Sequence, residues 1–209
     1  MPATLTIAQI NIAAGLYNLD PLVLRAVLQV ESSGVGFLPD GHVKILLERH
    51  ILWERILSPD HGQLNPHALY QAHPDICNPT VTPPGGYGPE SAQWSRLETV
   101  IFWAQNHDPA HVPSYTRCAY EACSWGLAQI LGENYASCGY PDVDGFVADM
   151  KISEATQLDI MLRWVSHNGL LTRMKQKDWT GFARGYNGPG AVMAYSGKLI
   201  SAYKALGGK

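Results

Sequence analysis

The segment that follows Asp20-Pro21 constrains the fold most, because it is apolar on nearly every face of a helix. Asp20 is a typical N-cap and Pro21 suits the first helical position. The apolar residues that follow are Leu22, Leu24, Val27, Leu28 and Val30. A helix that is apolar all round must be covered by other elements, so we predict a central helix that ends near Gly34.

Capping residues and apolar periodicity predict further helices around this one. The predicted ranges are 5–17, 50–57, 91–106, 120–131, 142–150, 153–168, 170–176, 178–186 and 191–206. The run 43–47 fits either a short strand or the opening of the next helix. Prolines and glycines exclude a continuous regular element over 59–88, which we interpret as an irregular insertion. The sequence therefore predicts a mainly α single domain over 1–209.

Composition excludes several classes of function. A formal net charge of −3 gives no global basic field for nucleic acid. The apolar runs are far shorter than the roughly 20 residues of a membrane helix, and residues 1–11 lack the pattern of a secretory signal. The eight histidines and four cysteines show no metal-ligand spacing, and no nucleotide-binding loop is present. We therefore expect no cofactor and no metal, and the pairing of the cysteines stays open.

Glu31 is the first candidate catalytic residue, since it closes the apolar central helix. Burial and the negative end of the helix dipole both disfavour an ionised carboxylate, and both raise its pKa. A general acid that works near neutral pH needs such a pKa. The alternative is an acid that hydrogen-bonds the backbone at a helix end.

Three separated stretches resemble lytic transglycosylases and goose-type lysozymes. Glu31–Gly34 resembles their "ES-G" motif, Ser124–Ile130 their "GLMQI" segment, and Ala183–Val192 their "AYNAGPGAV" segment. The three stretches occur along the chain in the same order as in that family. The chain departs from the pattern at Ala128, where the family has Met, and at Gly188, where it has Ala.

A closer resemblance, over nearly the whole chain, is to the N-acetylmuramidase domain of phage endolysins. It rests on "FLPDGHVKILLERHILW" (37–53), "PDICNPT" (74–80), "GGYG" (85–88) and "YEACSWGLAQILGENYASCGY" (120–140). The resemblance implies a lysozyme-like α-helical domain with a small β or irregular lobe beside the cleft. It also implies cleavage of peptidoglycan between N-acetylmuramic acid and N-acetylglucosamine, and bacteriolysis. We expect a monomer without a separate wall-binding domain, without membrane insertion, and released from the host cytoplasm through a phage membrane pore.

Catalytic roles follow from this resemblance. Glu31 matches the catalytic glutamate that protonates the glycosidic oxygen, and Glu48 matches an acid implicated as its partner. Glu121 is a third candidate, which we interpret as a structural or substrate-orienting acid. The alternative for Glu48 is an ion pair with a neighbouring cation, which would be Arg49, Arg55 or Lys44.

Substrate contacts are also predicted. The Ser124 hydroxyl and the Gln129 amide suit hydrogen bonds to sugar groups, and Trp125 offers a flat face for a pyranose ring, with core packing as its alternative. Tyr186 would hold the Glu31 carboxyl through its phenol, and Asn187 would contact the glycan or cap a turn. The insertion 59–88 is expected to wall one side of the glycan cleft.

Two other functions stay open. A lytic transglycosylase would use Glu31 alone, with the muramic acid 6-hydroxyl attacking instead of water. A catalytically silent peptidoglycan-binding module is the other, and the Glu31, Gln129 and Tyr186-Asn187 set argues against it.

Overall fold

A computed structural model describes residues 4–32, 35–81 and 86–209, and in them the chain is mainly α-helical, as predicted. The helices are α1 (Ile7–Leu16), α2 (Pro21–Ser32), α3 (Arg49–Leu57), α4 (Pro66–Ala72), α5 (Gln93–His107), α6 (Val112–Glu121), α7 (Val143–Met150), α8 (Glu154–His167), α9 (Leu170–Gln176), α10 (Trp179–Asn187) and α11 (Val192–Ala205). The strands are β1 (Ile45–Leu47), β2 (Cys123–Trp125) and β3 (Ile130–Leu131). Short 3₁₀ turns lie at Pro59–His61, Glu90–Ala92, Pro109–His111, Gly132–Asn134, Ala136–Cys138 and Pro189–Ala191. None of the helices in the described ranges is long and apolar enough to cross a membrane.

Helix α2 is central, as its sequence predicts. The Leu22 amide donates to Asp20 Oδ1 at 2.9 Å, which fixes the helix start. The side chains of Val23, Leu24 and Val27 are fully buried, and the helix packs against α1, α9 and α11. Glu31 therefore lies at the edge of the core, at the C-terminal end of a firmly packed helix. The predicted stop at Gly34 lies outside the described residues.

A small antiparallel sheet forms the second part of the fold. Strand β1 pairs with β2 in the register Leu46 to Ser124, and β2 pairs with β3 in the register Trp125 to Ile130. The ambiguous run 43–47 is thus largely a strand, and its Ile45 side chain is buried. The sheet lies beside the helical body, which confirms the predicted small β lobe.

The predicted helix over 120–131 is wrong. Helix α6 ends at Glu121, and the chain then forms β2, a tight turn and β3. Gly126 and Gln129 adopt left-handed backbone conformations, with φ of 66° and 49°, which no right-handed helix contains. The Leu127 amide donates to Gln157 Oε1 of α8 at 2.8 Å. Tertiary hydrogen bonds and strand pairing therefore override the local helical pattern.

The insertion is irregular in its described parts, 59–81 and 86–88, as predicted. Its regular elements there are the 3₁₀ turn Pro59–His61 and the helix α4, which Asn65 caps by accepting from the His67 amide at 2.9 Å. Arg49 fastens the later part to α3 by donating to the carbonyl oxygens of Thr80 and Val81.

Candidate active site

A cleft of about 290 Å³ opens between the helical body and the sheet. Its walls come from the end of α2, the residue after β1, strand β2, the β2–β3 turn and β3, a 3₁₀ turn, α8 and α10. The lining residues are Glu31, Glu48, Ser124, Ala128, Gln129, Ile130, Leu131, Asn134, Trp164, Tyr186 and Asn187. The fold thus brings both predicted catalytic acids into one concave site.

Glu31 lies half-buried in the last turn of α2. Burial raises the pKa of its carboxyl group to about 7. The phenol of Tyr195, on α11, donates a hydrogen bond to Glu31 Oε1. This contact engages one carboxyl oxygen, and no hydrogen bond from the residues that the structure describes engages the other.

Glu48 lies between β1 and α3, at the N-cap position of α3. Its backbone amide donates to the Ala122 carbonyl at 3.0 Å, which ties it to the sheet lobe. The Ser124 hydroxyl donates to Glu48 Oε1 at 3.3 Å, and His50 Nε2 lies 3.9 Å from Oε2. Ser124 therefore contacts the second acid directly, which sequence reasoning did not predict.

The three cations that would neutralise Glu48 in the alternative interpretation point elsewhere. Lys44 pairs with Glu90 at 2.7 Å, and Arg55 pairs with Glu121 at 2.8 Å. Arg49 binds backbone carbonyl groups. Among the residues that the structure describes, an ion pair of Glu48 with Lys44, Arg49 or Arg55 is therefore wrong.

Glu121 is outside the cleft. Its side chain is 6% exposed, and Oε2 is 2.8 Å from both Arg55 Nε and His61 Nε2. This cluster joins the end of α6 to α3 and to the 3₁₀ turn after it. Glu121 is thus a structural acid, in agreement with the sequence interpretation.

Gln129 lies at the turn between β2 and β3, in a left-handed conformation uncommon for a residue with a side chain. Its Nε2 donates to the Gly126 carbonyl at 2.9 Å and to the Lys44 carbonyl at 3.4 Å. The side-chain nitrogen is thus committed to the turn, and Oε1 is the atom left to accept a hydrogen bond from a sugar.

Trp125 does not present a ring face to the cleft, so the prediction of a sugar platform is wrong. The side chain is fully buried, and its Nε1 donates to the Tyr120 carbonyl at 2.8 Å. The indole packs edge-on against Trp94 and Tyr120. Because alternate residues of β2 face opposite sides of the sheet, Ser124 faces the cleft and Trp125 faces the core.

Tyr186 does not hold Glu31, which corrects another prediction. Its phenol donates to the Ala128 carbonyl at 3.2 Å, and its ring is parallel to that of Tyr195, 6.4 Å away. Tyr195 is the residue that contacts Glu31, and sequence reasoning missed it. The spacing of Tyr195, Leu199 and Ala202 marks a buried face of α11, and a buried phenol needs a partner.

Three further residues complete the cleft wall. Asn187 is exposed and lines the cleft, and its predicted contact with the glycan stays a prediction; Asn134 and Trp164 also line the cleft and were not predicted. The indole nitrogen of Trp164 is buried without a hydrogen-bond partner in the described ranges, and its ring packs edge-on against Tyr186. The described part of the insertion contributes no lining residue, so the expectation that it walls the cleft is wrong there; Tyr70 packs against Trp53 instead.

The described side chains include no group of three or more His, Cys, Asp or Glu residues arranged to hold a metal ion. The chemistry that the site offers from its own residues is a half-buried proton donor, Glu31, and a second carboxylate, Glu48, in the same cleft.

Comparisons with known proteins bear on the family and the fold of the chain. A family model described as N-acetylmuramidase matches residues 20–207. The crystal structure of the endolysin of Burkholderia phage AP3 superimposes with a TM-score of 0.80 at 37% sequence identity, over 99% of this chain and 73% of the endolysin chain. No curated protein matches the chain.

Proposed function

Because the chain belongs to the N-acetylmuramidase family, we propose that it hydrolyses the β-1,4 bond between N-acetylmuramic acid and N-acetylglucosamine in peptidoglycan. The observation that carries the proposal is the pair of carboxyl groups in one cleft, of which Glu31 has a pKa of about 7. Glycosidases typically use two such groups on either side of the scissile bond.

Glu31 acts as the general acid. With a pKa of about 7, a large share of the side chain carries a proton at neutral pH. Tyr195 holds Oε1, so the proton is donated from Oε2 to the glycosidic oxygen as the bond breaks. The leaving sugar then departs as a neutral alcohol, and positive charge develops on the ring that remains.

Glu48 is the partner carboxylate. The Ser124 hydroxyl and the Glu48 backbone contact with Ala122 orient it, and none of the nearby Lys or Arg side chains in the described ranges neutralises it. Glu48 either activates the attacking water or stabilises the cationic sugar. In glycosidases the second carboxylate takes one of these roles, and its distance from the acid decides which.

Mass spectrometry of the fragments released from purified peptidoglycan tests the reaction. Hydrolysis leaves reducing N-acetylmuramic acid ends, and Glu48→Gln should then lower the rate of release by about 10²-fold or more. Predominant 1,6-anhydro ends with little loss in Glu48→Gln would instead identify a lytic transglycosylase. Binding to walls without any release would identify a silent module.

The same family membership and the likeness to a phage endolysin support a bacteriolytic role. In this proposal the chain accumulates in the host cytoplasm and reaches the wall through a phage membrane pore. Expression in a bacterial host should then lyse cells only when a pore-forming protein is co-expressed. Glu31→Gln, expressed with the same pore, is the matched control and should not lyse them.

A further inference from the structure

The basic residues of the chain are concentrated at its C-terminal end. Residues 169–209 carry seven Lys and Arg side chains and one acid, a formal charge of +6, whereas residues 1–168 carry −9. These C-terminal residues form α9, α10 and α11, which pack on one another. The molecule therefore has a positively charged helical region on an otherwise acidic body.

A groove of about 530 Å³ lies within this region, between α9 and α10. Arg173, Asp178, Thr180 and Arg184 supply its charged and hydroxyl side chains, and we call it the arginine groove. Asp178 is already committed, because it pairs with Arg173 at 2.6 Å and caps α10 by accepting from the Gly181 amide at 2.9 Å.

Arg184 is the side chain that the groove leaves available. It is exposed and has no acidic partner in the part of the chain that the structure describes. A guanidinium group binds a carboxylate through two parallel hydrogen bonds. The Thr180 hydroxyl, also exposed, adds a donor in the same groove.

The arginine groove adjoins the catalytic cleft on two helices. On α10, Gly185 lines the groove and its neighbour Tyr186 lines the cleft. At the end of α8, Asn168 lines the groove and donates through Nδ2 at 2.9 Å to the carbonyl of Trp164, which lines the cleft. The two cavities therefore share the end of α8 and the end of α10, and Asn168 follows Trp164 by about one helical turn, roughly 5 Å along the axis.

We propose that the arginine groove binds a carboxylate of the peptide stem that is attached to N-acetylmuramic acid. The inference rests on the proposed function, since that sugar is the one that carries the acidic peptide. It assigns Arg184 as a specificity-determining residue that favours peptide-bearing glycan over bare glycan.

The test compares two soluble substrates made from one wall preparation from which phosphate-containing polymers have been removed. One keeps its peptide stems, and the other has lost them to an amidase. We expect Arg184→Gln to lower kcat/KM on the peptide-bearing strands by about tenfold, the usual range for a hydrogen bond to a charged group. On the bare glycan Arg184→Gln should match the wild type within about twofold, and Arg184→Lys should lose less on the peptide-bearing strands because it keeps the charge.

Lys198→Gln is the matched control, because it removes one exposed positive charge of α11 outside the groove. It should leave kcat/KM on both substrates unchanged. An equal effect of Arg184→Gln on both substrates, or an equal effect of Lys198→Gln, would overturn the proposal. Failure of the wild type to cleave either substrate would instead overturn the proposed function.

Discussion

The carboxyl group of Glu31 carries the proton on which the proposed reaction depends. Glu31→Gln keeps the volume and the hydrogen bond from Tyr195 but removes the transferable proton. We expect wall lysis to fall by about 10²–10⁴-fold or more, as for loss of a general acid. Turbidity loss of a wall suspension measures activity, and circular dichroism checks the fold. A folded variant that lyses walls at the wild-type rate would contradict the assignment.

The raised pKa of Glu31 also predicts how stability depends on pH. Since burial raises the pKa to about 7, the folded protein holds this proton more tightly than the unfolded chain does. The stabilising contribution is complete below pH 4.5 and is lost as pH rises through 7. Gln cannot ionise, so the stability of Glu31→Gln relative to wild type should increase from pH 4.5 to 8 by about 1–3 kcal/mol. Urea unfolding at both pH values measures this, and a constant difference would contradict it.

Tyr195 is predicted to position the acid. Tyr195→Phe removes a donor to the carboxylate, which disfavours its ionised form and raises the pKa of Glu31 further. We expect kcat to fall by about tenfold and the alkaline limb of the pH–rate profile to move to higher pH. Tyr186→Phe is the control and should leave the alkaline limb at the wild-type pH, because the Tyr186 phenol donates to the Ala128 carbonyl and not to Glu31. The same limb position in Tyr195→Phe and wild type would refute a positioning role.

These residues also show how much of the site could be predicted from the sequence. Glu31 was identified because a carboxyl group at the end of an apolar helix has a physical signature, and Glu48 because of family resemblance. The contact of Tyr195 with Glu31 spans 164 residues of sequence, so no local pattern reports it. Trp125 was misplaced because the choice between cleft and core depends on which face of β2 packs on the helices.

At the scale of elements, local chemistry predicted most helices well. Helix α8 is capped by Ser153, which accepts from the Thr156 amide at 3.2 Å, and α2 begins after Asp20 as expected. The failure at 120–131 has a physical cause, since alanine-rich apolar sequence fits a helix as well as a buried strand. Pairing of β2 with β1 and the hydrogen bond from Leu127 to Gln157 decide the outcome, and both are long-range.

The turn between β2 and β3 is predicted to depend on Gly126. A Cβ there would lie 2.7 Å from the buried Gln157 side chain, in a left-handed backbone conformation. Gly126→Ala should therefore destabilise the protein by about 1–3 kcal/mol and lower activity through Gln129. Gly197→Ala is the control: it lies in α11 with nothing within 4 Å, and should stabilise by up to about 1 kcal/mol. Urea denaturation compares them, and equal stabilities would contradict the prediction.

At the scale of the whole molecule, one continuous core joins the sheet lobe to the helical body. The four cysteines are free and buried, and they lie in separate parts of this core. One is in the insertion, one in α6, one in β2 and one in a 3₁₀ turn. Burial raises the pKa of the thiols of Cys77, Cys118 and Cys138 to about 12, and raises that of Cys123 as well. They therefore report opening of the core at four positions.

We expect these thiols to resist alkylation until the molecule unfolds as a unit. At pH 8 the thiolate fraction of a group with a pKa of about 12 is on the order of 10⁻⁴, and burial also blocks the reagent. Pulses of iodoacetamide in increasing urea, read by intact mass, should give molecules with either no adduct or four. Labelling of Cys77 alone at low urea would instead show that the insertion opens by itself, because Cys77 is its cysteine. A two-population result means that the core around strand β2, which pairs with the strand before Glu48, opens only when the whole molecule unfolds.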